Sequence, residues 1–203
     1  MKKIFFDTET TGLAPGQIGQ LAYIEEMDDG SITTGNYYFK VDYVTRGAAE
    51  VTGRDAEFYR EASEGVVFAD KAEEIAEKFS NSILVAHNVS FDMNFLNIEL
   101  FRANKALSNC SQFDTMMYFL DICKIPNPRN RSKYKKPKLI ELVQSFSIDM
   151  DKISEYCKKI FNCGDESFHG AMFDTTAMFI AFHVYAEQKN NSGDAWKKMF
   201  VKE

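Results

Sequence analysis

Ile4-Phe5-Phe6-Asp7-Thr8-Glu9-Thr10-Thr11-Gly12 sets two carboxylates at i and i+2 on a short apolar run that ends in a glycine turn. The run is β-prone and too short to argue for a helix, and side chains two apart on a strand leave it on the same face. Such a strand belongs inside a sheet, where acids are out of place unless they reach solvent at the strand end or hold something. Two like charges in a poorly solvated place repel and raise each other's pKa. A divalent cation resolves that conflict best.

Further acids follow at two places. Ile83-Leu84-Val85-Ala86 reads as a second buried strand, and His87-Asn88-Val89-Ser90-Phe91-Asp92 leads from it into a helix. With Ser90 as the expected N-cap, Asp92 falls in the first turn, where the helix dipole favours an anion. Phe91, Phe95 and Ile98 recur at helical spacing as the packed stripe. Near the other end, Phe168-His169-Gly170-Ala171-Met172-Phe173-Asp174 opens a mostly apolar helix running to about Tyr185, in which Asp174 is an isolated charge.

Taken in order, Asp-x-Glu-Thr-Thr-Gly-Leu, His-Asn-x-x-Phe-Asp and His-x-x-x-x-Asp resemble the motifs of the DnaQ-like DEDDh 3′→5′ exonucleases. The resemblance spans Asp7 to Asp174, and Val51-Thr52-Gly53, Phe113-Asp114-Thr115 and the run from Pro137 to Leu142 sit where that family carries similar stretches. It implies a ribonuclease-H-like α/β fold, a mixed central sheet flanked by helices. It also implies that Asp7, Glu9, Asp92 and Asp174 are metal-binding carboxylates and that His169 is the general base. Four carboxylates match the charge of two divalent cations, and hard oxygen ligands suit Mg²⁺ or Mn²⁺. Asp7, shared by both ions in the family, is then the least replaceable ligand.

The same resemblance assigns substrate contacts. Gly12 lets the backbone approach a terminal nucleotide, and Leu13 matches an apolar wedge against the last bases. Thr10 and Thr11 offer donors to a 3′-hydroxyl or phosphate while also forming the turn. His87 and Asn88 match a structural and substrate-positioning pair, His87 being a rival base by residue type alone. Phe91 is placed to stack on a base, though in a chain with 18 phenylalanines a core role is an equal reading. His183 reads as packing or surface.

A net charge of −6 looks wrong for a nucleic-acid partner. The positive charge is unevenly placed, however: Arg129, Arg131, Lys133, Lys135, Lys136 and Lys138 crowd into ten residues, within and just after a stretch expected to be an exposed loop from Pro126 to Pro137 that leads into a helix at Leu139. Lys135 and Lys136 are its candidate phosphate contacts. The four cysteines form no Cys-x-x-Cys pair, which argues for reduced thiols and against a zinc knuckle. No segment reaches 18 apolar residues, and the first strand begins at once, so the expectation is a cytoplasmic protein with no membrane contact.

Gln17 to Met27 and Ser31 to Tyr43 read as a hairpin around Asp28-Asp29-Gly30, Val66 to Phe79 as an amphipathic helix, and Phe113 to Ile122 as another helix. Residues 1–189 are expected to form the exonuclease domain and 190–203 a short extension, with a hinge at Asn190 to Asp194 and a last helix that caps the domain or binds a partner. The function expected is release of nucleoside 5′-monophosphates from single-stranded or frayed 3′ ends, DNA before RNA. Three alternatives stand beside it: an exoribonuclease that trims RNA or degrades oligoribonucleotides, a proofreading subunit on a polymerase, and a catalytically silent nucleic-acid-binding module. A homodimer partner stays open.

Overall fold

The computed structural model describes residues 1–13, 16–164, 170–190 and 193–202. Among them a five-stranded sheet in the order β3-β2-β1-β4-β5 carries helices on both faces. Its strands are β1 (Lys3–Thr10), β2 (Ile18–Glu26), β3 (Ile32–Tyr38), β4 (Ile83–Ala86) and β5 (Ser111–Asp114). The first three are antiparallel, whereas β1, β4 and β5 run parallel. The sheet is therefore mixed, as expected.

Alternation along β1 divides the core. Ile4 and Phe6 face α3 (Phe68–Phe79) and α4 (Val89–Arg102), meeting Ile75, Phe79 and Leu96. Phe5 faces the other way, onto Phe179 and Ile180 of α9 (Ala171–Asn190) and Leu142 of α7 (Leu139–Ser145). All of these side chains are buried, so β1 is apolar on both faces, as the middle strand of a covered sheet must be. The β2–β3 hairpin turns where expected, with Gly30 at φ +82° and Asp29 Oδ1 accepting the Ser31 N–H at 2.9 Å. β3 stops at Tyr38 rather than Tyr43. Between it and α3 lie α1 (Arg46–Thr52) and α2 (Ala56–Ala62).

Three local expectations are corrected. Helix α4 begins at Val89, one residue before Ser90: Asn88 takes the cap position in the left-handed conformation (φ 77°, ψ 51°), which asparagine tolerates, and its N–H donates to Asp114 Oδ1 at 3.2 Å. Phe113 is not helical, because it pairs with Val85 in β5. Helix begins only after Asp114, whose carboxylate caps α5 (Thr115–Tyr118), followed by α6 (Leu120–Cys123). The stretch from Pro126 to Pro137 is not a plain loop, for it contains a two-stranded ribbon of β6 (Pro126–Asn127) and β7 (Asn130–Tyr134).

After α8 (Met150–Phe161), the long α9 leads to α10 (Ala195–Phe200). This last helix packs on the domain: Phe200 is buried, its carbonyl accepts the Asp149 N–H at 2.7 Å, and Trp196 stacks on His183 with ring centroids 4.9 Å apart. His183 also places Nε2 3.1 Å from Glu26 Oε1, so it is a packing residue that ties α9 to β2. No helix among the described residues is long and apolar enough to cross a membrane.

Candidate active site

Because β4 pairs with β1 only from Lys3 to Phe5, the last residues of β1 run past it. Their unclaimed backbone is taken by the helix that follows β4: Asp92 Oδ1 accepts both the Thr8 N–H at 3.0 Å and the Thr8 hydroxyl at 2.8 Å. Asp92 is 3% exposed, yet it sits in the first turn of α4. Burial pushes its carboxyl up to about 7, and the two Thr8 hydrogen bonds pull the other way. Thr8 therefore positions Asp92 from between the two strand acids, Asp7 and Glu9.

The opposite side of β1 receives α9. On β2, Ala22 lies opposite Asp7 and Gln20 opposite Glu9. The Ala22 carbonyl accepts the Thr175 hydroxyl at 3.3 Å, while Gln20 Oε1 accepts the Ala171 N–H at 3.3 Å and a second hydrogen bond from Arg54 Nη1. These bonds hold the first turn of α9 level with the two strand acids and bring Asp174 to them. Gly19 makes room on the same strand, since a Cβ there would fall 2.6 Å from the ring of buried Tyr59. Tyr59 in turn lies close enough to Glu9 for burial and that carboxylate to raise its phenol.

The electrostatic result is concentrated on Asp7. Burial raises its carboxyl well above the usual carboxylate range, and Asp92, Asp174 and Glu9 each raise it further. Among the described residues no three His, Cys, Asp or Glu side chains already stand as a metal-holding group. The case for a cation thus rests on donor chemistry and on the mutual repulsion of the acids, and both fit: four carboxylates from three elements offer hard oxygen donors.

The other expected residues divide. His169 lies outside the described residues. Thr11 is buried, its hydroxyl oxygen accepting the Gln17 N–H at 3.0 Å, and the Thr10 hydroxyl donates to the Gly12 carbonyl at 2.9 Å, so both threonines build the turn. At Gly12 a Cβ would stand 3.0 Å from Thr45 Cγ2, so any larger residue would press on that threonine. Leu13 is 91% exposed, which leaves it available as a wedge. Phe91 is half-buried against Phe95, with ring centroids 5.0 Å apart.

His87 is held on both sides, by Thr115 Oγ1 at 3.0 Å from Nδ1 and by the Pro137 carbonyl at 2.9 Å from Nε2. A carbonyl only accepts, so Nε2 carries the proton, and burial lowers the ring's pKa and keeps it neutral. That removes His87 as a rival base and makes it a structural staple. Lys135 is also committed, with Nζ 2.6 Å from Glu141 Oε2, whereas Lys136 is exposed. Sequence reasoning missed Thr8, Gln20 and Tyr59. Thr8 could have been found, being the one hydroxyl between two acids on a strand that must pass the first turn of a helix.

The exonuclease family model RNase_T matches residues 4–182, nearly the whole chain. The chain belongs to this exonuclease family. It is a DnaQ-like exonuclease of the ribonuclease-H-like superfamily. The DNA polymerase III subunit epsilon of Buchnera aphidicola subsp. Acyrthosiphon pisum is 32% identical over 127 residues, which cover 57% of this chain and 52% of that protein. The epsilon subunit of Rickettsia felis is 33% identical over 105 residues, 49% of this chain and 44% of that one. The chain thus spans about half the length of these relatives. Among solved structures, E. coli Exonuclease I in complex with a dT13 oligonucleotide superimposes with a TM-score of 0.64 at 19% identity, over 94% of this chain and 42% of that one. A second Exonuclease I complex, with a 5cy-dT13 oligonucleotide, gives a TM-score of 0.66 at 20% identity, over 93% and 41%. At such identity the likeness speaks for the fold.

Proposed function

We propose that this protein is a divalent-metal-dependent 3′→5′ exonuclease that releases nucleoside 5′-monophosphates from single-stranded or frayed 3′ ends of DNA. The observation that carries the reading is the convergence of Asp92, Asp174 and Glu9 on Asp7, each raising its pKa. DNA is favoured over RNA because the epsilon relatives are subunits of a DNA polymerase and the matching Exonuclease I structures hold deoxyoligonucleotides. The epsilon likeness also supports a second reading, the same chemistry in the service of a polymerase partner.

In this mechanism Asp7, Glu9, Asp92 and Asp174 would hold two Mg²⁺ or Mn²⁺ ions. Such ions supply a bound water of lowered pKa and charge stabilisation for the departing 3′-oxygen. The chain's residues do the rest. Thr8 fixes the Asp92 carboxylate so that one oxygen stays engaged with β1. His169 accepts the proton of the attacking water on a ring nitrogen, as a base whose unperturbed pKa lies near working pH. Leu13 stands beyond the strand end to part the terminal base from its neighbour, while Gly12 keeps the backbone low enough for the nucleotide to approach.

The test is incubation with 5′-labelled and 3′-labelled oligonucleotides of DNA and RNA in Mg²⁺, Mn²⁺ or EDTA. Mononucleotides leaving the 3′ end of DNA only when a cation is present are the expected result. Loss from the 5′ end, or cleavage that survives EDTA, contradicts the mechanism. Preference for RNA moves the protein to the exoribonuclease reading, and tight binding with no cleavage to the silent module.

A further inference from the structure

The basic stretch folds as a two-stranded arm. Asn127-Pro128-Arg129-Asn130 closes β6 onto β7: Asn127 Oδ1 accepts the Arg129 N–H at 2.9 Å, and Pro128 presets the backbone of the turn. Asn130 Oδ1 then accepts the Ser132 hydroxyl at 2.7 Å, and the Lys135 N–H donates to the Ile125 carbonyl at 2.9 Å, closing the base of the arm. Every residue of β7 is exposed.

Along a strand alternate side chains share a face, so Arg131 and Lys133 point the same way, with Arg129 at the tip. Two residues of strand advance about 6.8 Å. Successive phosphates of one strand advance about 3.4 Å along a duplex axis, so cations this far apart reach different phosphates. The chain has no Asp or Glu between Asp121 and Glu141. Lys135, at the base, is the cation here that Glu141 holds.

The arm is rooted at the active edge. His87, whose ring donates to the Pro137 carbonyl just beyond the arm, directly follows β4 and precedes the helix whose first turn holds Asp92. We propose that the β6–β7 ribbon is a phosphate-binding arm that grips the backbone of the strand being degraded, through Arg129, Arg131 and Lys133, upstream of its 3′ end. The proposal rests on the exonuclease reading for where that 3′ end lies. It moves the phosphate contacts from Lys135, which is engaged with Glu141, to the exposed side chains of the ribbon.

The experiment is binding of a fluorescein-labelled single-stranded DNA 20-mer in EDTA, followed by anisotropy across a salt series. Arg129→Ala/Arg131→Ala/Lys133→Ala is compared with wild type and with Lys197→Ala/Lys198→Ala/Lys202→Ala, an equal loss of charge on and beside α10. Each single-strand phosphate contact contributes about 0.7 to the slope of log K against log salt, so the arm variant is expected to lower that slope by about 2. The control variant should leave it unchanged, and Arg131→Glu/Lys133→Glu should weaken binding further. In Mg²⁺ the arm variant should raise KM on the 20-mer and leave kcat near wild type. An unchanged slope in the arm variant, or an equal fall in the control, overturns the proposal. A wild type with a steep, arm-dependent slope that releases no mononucleotide sinks the exonuclease reading and leaves the arm standing.

Discussion

The two ends of the β1–β2 pair hold buried acids in opposite ways. At one end Lys3 lies opposite Glu26 and the chain supplies its own cations: Glu25 takes Lys2 at 2.9 Å, Lys78 at 2.8 Å and the Thr33 hydroxyl at 2.8 Å, while Glu26 takes Lys3 at 2.9 Å. Although burial alone would raise it, Glu25 is pulled down to about 2 by these partners. At the other end everything that shifts Asp7 raises it. The same two strands thus shift their acids in opposite directions: lysines pull Glu25 down, whereas burial and neighbouring acids push Asp7 up, which is the end where a cation from outside would relieve the repulsion.

The sharpest break between the two ends is in turnover. Asp7→Ala should lower kcat on the order of 10⁴-fold or more, the scale seen when a member of a concerted catalytic set is removed. His169→Ala should lower it by roughly 10²–10⁴, the usual general-base contribution, with little change in substrate affinity. Wild-type turnover in either variant would show the roles misassigned.

Next in size is the dependence of stability on pH in EDTA. Asp92 has its folded pKa raised from an ordinary 3.8 to about 7, so as pH climbs through that window the unfolded chain loses its proton first and stability falls. For a fully buried group this amounts to a few kcal/mol. Glu25 has the opposite sign: with its folded pKa lowered from 4.5 to about 2, its contribution is present above the higher value and drains away as pH falls to the lower. Urea denaturation in EDTA should therefore show a maximum at about pH 4 and a fall from there towards pH 7. A flat profile from about pH 4 to 7 would contradict the raised carboxyl assigned to Asp92.

Thr8→Val tests the positioning of Asp92. Loss of the hydroxyl should cut kcat about 10-fold, the scale of losing a side chain that orients a ligand, and move the acid limb of the pH–rate profile upward because Asp92 loses a bond to its charged form. The smallest effect belongs to the paired end, where Lys78→Met should cost about 1 kcal/mol in urea denaturation and leave kcat unchanged, since Lys2 still reaches Glu25. A drop in activity there would mean that the two ends are not independent.

The sequence displayed the acids of the cluster because each breaks an apolar run, and the order of three motifs carried the fold. What it hid were partners set by tertiary register. Gln20 looks like an ordinary strand polar residue until it stands opposite Glu9 and accepts the first N–H of α9. Likewise, Ser90 is the better cap by composition, yet Asn88 wins because Asp114, 26 residues away, takes its N–H. The ribbon at Pro126 was legible in outline: Asn127-Pro128 is a turn signal, but β6 has only two residues, too few for any alternation to show.

Thermal denaturation of wild type and Asp7→Asn at pH 8, with EDTA or with saturating Mn²⁺, tests the central claim that this end of β1 is built for a cation. Saturation at about 100 times Kd contributes about 2.7 kcal/mol to the species that binds. In a domain of this size that raises Tm by about 5–10 °C. Wild type should show that rise, whereas Asp7→Asn should start higher in EDTA and respond little to Mn²⁺. Equal shifts in both proteins, or no shift in wild type, would contradict it.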